Sequence, residues 1–275
     1  MNAEATGSCE LGNRIYAQKD KTTQKFKLAI QSAANLAGGR MTALDFIPGT
    51  LCDERMWSRL IPLLGGDFSF NHVPLHEARS RLEMKQLIAT HTEPAANVVA
   101  FSLGAYLAIE HAVAHPERVR SLVLIANSAR GLKAEEVLAR ERIVAMLERN
   151  AYAGMSRQRL RELLHASHLD DESIVGPIQQ MALDLSKEVL LTQFATTIDR
   201  PDLMDRLSAL GFPVLIVGAE DDNLVPREDL EQMAANFPNA VLHMLGGDTG
   251  HMIPLEAPQS LAGHMQAFYA NAGII

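Results

Sequence analysis

The chain has 275 residues, 47% of them hydrophobic and 21% charged, and a formal net charge of -8. This is the balance of a globular chain able to bury a substantial core, and it excludes nucleic acid as the main partner, since phosphate neutralisation needs clustered Lys and Arg. No segment approaches the roughly 20 consecutive apolar residues of a membrane span, and the start lacks the basic, apolar and small-residue succession of a secretory signal, so the expected location is cytoplasmic.

Residues 1–40 carry a net charge of +3 and the remaining 235 residues carry -11. The first 40 residues show no strand pattern and end in Gly38-Gly39. They read as an extension, disordered or loosely helical, in which Phe26, Leu28, Ile30 and Leu36 leave room for a short docking helix. The compact domain is expected to start near Met41. From there strands are predicted at Leu44–Ile47, Phe68–Leu75, Asn97–Phe101, Ser121–Ala126, Val214–Val217 and Val241–Leu245, mostly short apolar runs of the kind buried on both faces of a parallel sheet. Helical patterns fall between them at about 53–64, 81–92, 103–115, 226–236 and 257–270, with Asp53 as the N-cap of the first. This alternation predicts an α/β doubly wound sheet. Residues 129–207 break the rhythm: they hold helical periodicity and no strand, so they read as an all-helical insertion between core segments 41–128 and 208–275.

The stretch Val98-Val99-Ala100-Phe101-Ser102-Leu103-Gly104 places a serine at a sharp strand-to-helix turn, with small residues two positions to either side. Such a turn lifts the hydroxyl clear of the backbone. Ser102 is then either a nucleophile or merely a helix cap. A nucleophilic serine needs a base, and that base needs a group to orient it. The strand Val214–Val217 runs into the acidic loop Glu220-Asp221-Asp222, whose carboxylates are either catalytic or solvated loop acids. The last predicted strand runs into Gly246-Gly247-Asp248-Thr249-Gly250-His251, a loop bracketed by glycines and prolines that presents His251. His111, His115, His165 and His168 lie in helical segments and read as packing or surface residues. An oxyanion formed by serine attack would be held by backbone N–H groups, one from Leu103 and one from Thr50 in the loop after the first strand. Cys52, in that same loop, has no basic neighbour in sequence and reads as packing. Cys9 and Cys52 together suggest no disulfide framework, and no Cys/His cluster has metal-ligand spacing.

Together these segments resemble the α/β-hydrolase superfamily from Met41 onward: the elbow Ala-Phe-Ser-Leu-Gly, the loop Asp-Asn-Leu-Val-Pro, and Gly-His-Met-Ile-Pro-Leu-Glu-Ala-Pro occur in the family's order of nucleophile, acid and histidine. The resemblance implies that Ser102 is the nucleophile, His251 the general base and Asp222 the triad acid, with Asp221 as the fallback. It also implies that 129–207 is a cap domain. Small bacterial hydrolases with a Pro-Gly-Thr-Leu-Cys-Asp first loop and an Arg-Pro-Asp segment like Arg200-Pro201-Asp202 form the most similar subgroup. The chain departs from the family pattern in having Pro48-Gly49 for His-Gly and Ala100 for the first elbow glycine. It also lacks two leading antiparallel strands upstream of Leu44, so a shortened sheet is expected. The implied activity is a cofactor-independent serine esterase acting on a small acyl compound (an ester, lactone or thioester). C–C bond hydrolysis, acyl transfer and perhydrolysis use the same triad, and a degenerate ligand-binding protein is the alternative of a different class.

Overall fold

The computed structural model describes residues 41–275; the expected extension and its docking helix lie outside the described residues. Six strands form one sheet: β1 (Thr42–Ile47), β2 (Phe68–His72), β3 (Ala96–Phe101), β4 (Val119–Ile125), β5 (Val214–Ala219) and β6 (Ala240–Leu245). Their spatial order is β2-β1-β3-β4-β5-β6, and every pairing is parallel. The stretch upstream of β1, on which the expected shortening of the sheet turns, lies outside the described residues.

Burial follows position in the sheet. All residues of β3 and β5 are buried, whereas the outer strands β2 and β6 are half-buried over most of their length. Alternate residues of the inner strands feed two cores. Val99 and Phe101 join Phe46, Trp57, Val217 and Tyr269 on one face. Val98 and Ala100 join Tyr106, Leu124, Ile216 and Leu230 on the other. The chain runs from β1 outward to β2, then crosses back over β1 to β3 and continues in the opposite direction. That reversal opens a crevice beyond the carboxyl ends of β1 and β3, where open α/β sheets assemble their sites.

The helices are α1 (Ile61–Leu64), α2 (Arg81–His91), α3 (Leu103–Ala114), α4 (Ala134–Arg149), α5 (Arg157–Leu163), α6 (Glu172–Ala195), α7 (Arg227–Asn236), α8 (Ile253–Glu256) and α9 (Pro258–Asn271). Residues 129–207 contain helices and no strand. Apolar residues of this insertion, among them Leu160, Leu163, Ile178 and Met181, share one buried cluster with Phe101 and Met252. α6 is interrupted at Ser186, which has φ 75°. Among the described residues no helix is long and apolar enough to cross a membrane.

Two expectations need correction. The single helix foreseen over 53–64 is a 3₁₀ turn at Glu54–Trp57 followed separately by α1. Asp53 does cap the turn, accepting from the Arg55 N–H, but Pro62 lacks an N–H and starts a new short helix instead of extending the old one. The strand foreseen to Leu75 ends at His72, because Pro74 cannot donate to the ladder and Leu75–Glu77 turns into 3₁₀.

Candidate active site

The elbow is built where β3 meets α3. Ser102 has φ 50°, a left-handed conformation unusual for a residue with a side chain, and its N–H donates to Ile125 O on β4 at 2.9 Å. The turn needs space. A Cβ on Gly104 would lie 2.3 Å from Pro48 O and 2.6 Å from Ile47 O, so only glycine lets α3 approach the end of β1 this closely. Ser102 occupies the N-cap position of α3 yet makes no side-chain cap. Its hydroxyl lies instead 3.0 Å from His251 Nε2.

On the other side of the ring, His251 Nδ1 lies 2.8 Å from Asp222 Oδ2. An ionised carboxylate can only accept, so Nδ1 carries a proton, and in the neutral form of the ring Nε2 presents a lone pair to the Ser102 O–H. Asp222 is ionised for identifiable reasons. Burial pushes its carboxyl up, but the charge and hydrogen bond of His251 and the N–H groups of Leu224 and Val225 outweigh this and hold it below the usual range. Those two N–H groups donate to Oδ1 at 2.8 and 3.2 Å. Asp221, the alternative acid, is exposed and does not meet the imidazole. The side chains of His251 and Asp222 are 4% and 1% exposed, so their hydrogen bond is shielded from competing water.

The loop that carries Thr50 and the first residue of α3, Leu103, both adjoin the serine. Leu103 is the first residue of α3, where an N–H has no partner within the helix. A Cβ on Gly49 would lie 3.3 Å from Ser102 Cβ, so the loop leading into Thr50 runs close against the serine. Among the described residues, no hydrogen bond engages the N–H of either Thr50 or Leu103. Cys52 is buried, with its Sγ 3.3 Å from Thr50 O. Burial, and secondarily Asp53, pushes its thiol up to about 12, so it is held as the neutral thiol and packs, as expected.

Sequence reading missed two residues. The Glu256 side chain is fully buried. Its carboxylate accepts from the N–H of Met252 at 2.9 Å, of Gly250 at 3.1 Å and of His165 at 2.8 Å, and meets His168 Nδ1 at 3.1 Å. Leu163 O accepts the N–H of both His251 and Met252 at 2.9 and 3.2 Å. The His251 loop is thus locked to residues 163–168 of the insertion. The only sequence signal was the glutamate's place in the Gly-His-Met-Ile-Pro-Leu-Glu stretch. The second is Gln193 on α6, whose Oε1 accepts the Leu51 N–H at 2.8 Å across 142 residues of sequence; nothing local in the sequence marks it. The Arg-Pro-Asp segment also finds a place. Tyr106, four residues after Ser102, donates to Pro201 O at 2.7 Å, and the Arg200 guanidinium stacks 4.6 Å over its ring.

Comparison with known proteins agrees with this architecture. The family model described as alpha/beta hydrolase fold matches residues 82–258. A 2-hydroxy-6-oxononadienedioate/2-hydroxy-6-oxononatrienedioate hydrolase of Burkholderia vietnamiensis is 28% identical over 158 residues, covering 55% of this chain and 54% of that protein. A pimeloyl-[acyl-carrier protein] methyl ester esterase of Neisseria meningitidis is 31% identical over 145 residues, covering 50% of this chain and 56% of that protein. The match thus spans about half the length of each of these two relatives. Among solved structures, a thermophilic esterase from Thermogutta terrifontis superposes with a TM-score of 0.72 at 21% identity, covering 85% of this chain and 91% of that one. The chain belongs to the α/β-hydrolase family of enzymes.

Proposed function

We propose that the chain is a serine hydrolase that cleaves a small ester, lactone or thioester through an acyl-enzyme on Ser102. The observation that carries this reading is the single imidazole of His251, which bridges the Ser102 hydroxyl at 3.0 Å and the buried Asp222 carboxylate at 2.8 Å. As Ser102 Oγ attacks the acyl carbon, its proton passes to His251 Nε2, and Asp222 stabilises the imidazolium that results. Negative charge gathers on the carbonyl oxygen, which the Thr50 and Leu103 N–H groups receive. The imidazolium returns its proton to the leaving oxygen or sulfur. Water, deprotonated by the same histidine, then attacks the acyl-enzyme and frees the acid. The helical insertion roofs the site and selects the acyl compound.

The test is hydrolysis of p-nitrophenyl butyrate by wild type and Ser102→Ala, together with covalent labelling by a fluorophosphonate. The serine variant should lose about 10⁶-fold in kcat, by analogy with other triad deletions, and should not label. Hydrolysis surviving in Ser102→Ala would refute the reading, and failure of the wild type to label would favour a degenerate ligand-binding protein. The Burkholderia relative supports a second reading, hydrolysis of a C–C bond next to a ketone with the same three residues. Turnover of a vinylogous 1,5-diketone acid at least tenfold faster than of matched esters would select it.

A further inference from the structure

Gln193 is 1% exposed, and among the described residues its only side-chain hydrogen bond is the one from the Leu51 N–H to Oε1. The orientation of the carboxamide is fixed by that contact: a backbone N–H can only donate, so oxygen faces Leu51 and the NH₂ group points away from it. Nε2 is buried and has no partner among the described residues. An unpartnered buried donor is unfavourable, and an apolar side chain of similar size would avoid it, so packing alone does not account for a glutamine here. Leu51 is itself unusual, a non-glycine residue with φ 54°. Its side chain packs with Ala182 and Val189 of α6, the latter one helical turn before Gln193. α6 therefore grips Leu51 twice, by its side chain and by its N–H. The gripped residue immediately follows Thr50.

We propose that Gln193 is a positioning residue for the oxyanion turn: by holding the Leu51 N–H it fixes the peptide that follows Thr50, and through it the helical insertion sets the aim of the Thr50 N–H at the reacting carbonyl. The proposal rests on the serine-hydrolase reading above. It makes Gln193 act on kcat and not on substrate affinity, because the oxyanion exists only in the transition state. The acceptor at Oε1 does the work. Gln193→Leu removes it, whereas Gln193→Glu, neutral in so buried a place, keeps a carbonyl oxygen for Leu51 and a donor where Nε2 was.

The experiment measures kcat, KM, thermal midpoint and fluorophosphonate labelling for the full chain as wild type, Gln193→Leu and Gln193→Glu, with p-nitrophenyl butyrate at pH 7. Gln193→Leu should lower kcat about 30-fold, short of the 10²–10³-fold loss of a whole oxyanion donor, with KM changed less than threefold. Gln193→Glu should recover kcat to within about threefold of wild type. A Gln193→Leu protein that folds and keeps wild-type kcat overturns the proposal. So does a loss carried in KM alone, or a Gln193→Glu protein that folds yet is as slow as Gln193→Leu. If Gln193→Leu does not fold, Gln193→Glu and Gln193→Met decide the matter by the same comparison. Absence of labelling in wild type would sink the serine reading itself, an outcome distinct from any of these.

Discussion

Gly104→Ala is the sharpest perturbation of the elbow. The added Cβ would sit 2.3 Å from Pro48 O, 2.6 Å from Ile47 O and 2.9 Å from Ile47 C, all backbone atoms that cannot rotate away. Ordinary C···O contact begins near 3.3 Å, so α3 and the end of β1 must separate by about 1 Å. Overpacking of this kind costs about 1–3 kcal/mol, while the change from glycine to alanine within a helix returns about 1 kcal/mol. The net loss should be at most about 2 kcal/mol, a fall of no more than about 8 °C in thermal midpoint for a domain of this size. The effect on activity should be disproportionate. Thr50 lies two residues beyond Pro48, and a 1 Å misplacement of a catalytic group costs on the order of 10²-fold. We therefore expect kcat for p-nitrophenyl butyrate to fall about 100-fold at 20 °C, with KM within a fewfold of wild type. Gly263→Ala, at an exposed position in α9 where an added Cβ meets nothing within 4 Å, serves as control and should raise stability by about 0.5–1 kcal/mol with kcat unchanged. A well-folded Gly104→Ala protein with kcat within threefold of wild type would refute the assignment of the Thr50 turn to the oxyanion.

Two further predictions concern the site's surroundings. Glu256→Ala leaves the N–H groups of Gly250 and His165 without an acceptor, at about 1–3 kcal/mol each, and that of Met252 with Leu163 O alone. Its thermal midpoint should fall by about 10 °C, and hydrogen exchange at residues 250–252 should accelerate. Unchanged exchange there would show that the glutamate does not hold the His251 loop. His111 is 4% exposed on α3, and burial, then His115 and Arg118, pull its ring from 6.5 down to about 4. The fold thus disfavours its charged form. Stability from this group is full above about pH 6.5 and is lost as pH falls towards 4, on the order of 2 kcal/mol by pH 5. His111→Leu should flatten the loss of thermal midpoint between pH 7 and pH 5; an equally steep loss in that variant would remove His111 as its cause.

The strands were legible because each inner strand is a continuous apolar run, and α/β alternation leaves few topologies for such runs. Ser102, Asp222 and His251 were legible because each follows a predicted strand directly, and a parallel sheet gathers strand ends along one edge. Choosing Asp222 over its neighbour needed the family resemblance; in the structure the choice follows from which carboxylate turns inward. The 3₁₀ turn at Glu54–Trp57 and the interruption at Ser186 escaped notice because helical periodicity survives a local change in hydrogen bonding. Glu256 and Gln193 were hidden for a different reason. The partners that tie them to a distant segment lie 91 and 142 residues away, at His165 and Leu51, so that part of their role arises from tertiary contact.

The attachment of the insertion to the loops around the triad bears on how new specificities could be made on this scaffold. Residues 129–207 would be the natural cassette to exchange between relatives, since both ends leave and re-enter the sheet at neighbouring strands. Yet that cassette carries Leu163 and His165, which hold the His251 loop, and Gln193, which holds the Leu51 turn. A foreign cassette that fits sterically would still detune both halves of the reaction centre unless it brought equivalent anchors. Chimeras that preserve these contacts while varying the remaining surface should keep turnover as their preferences drift.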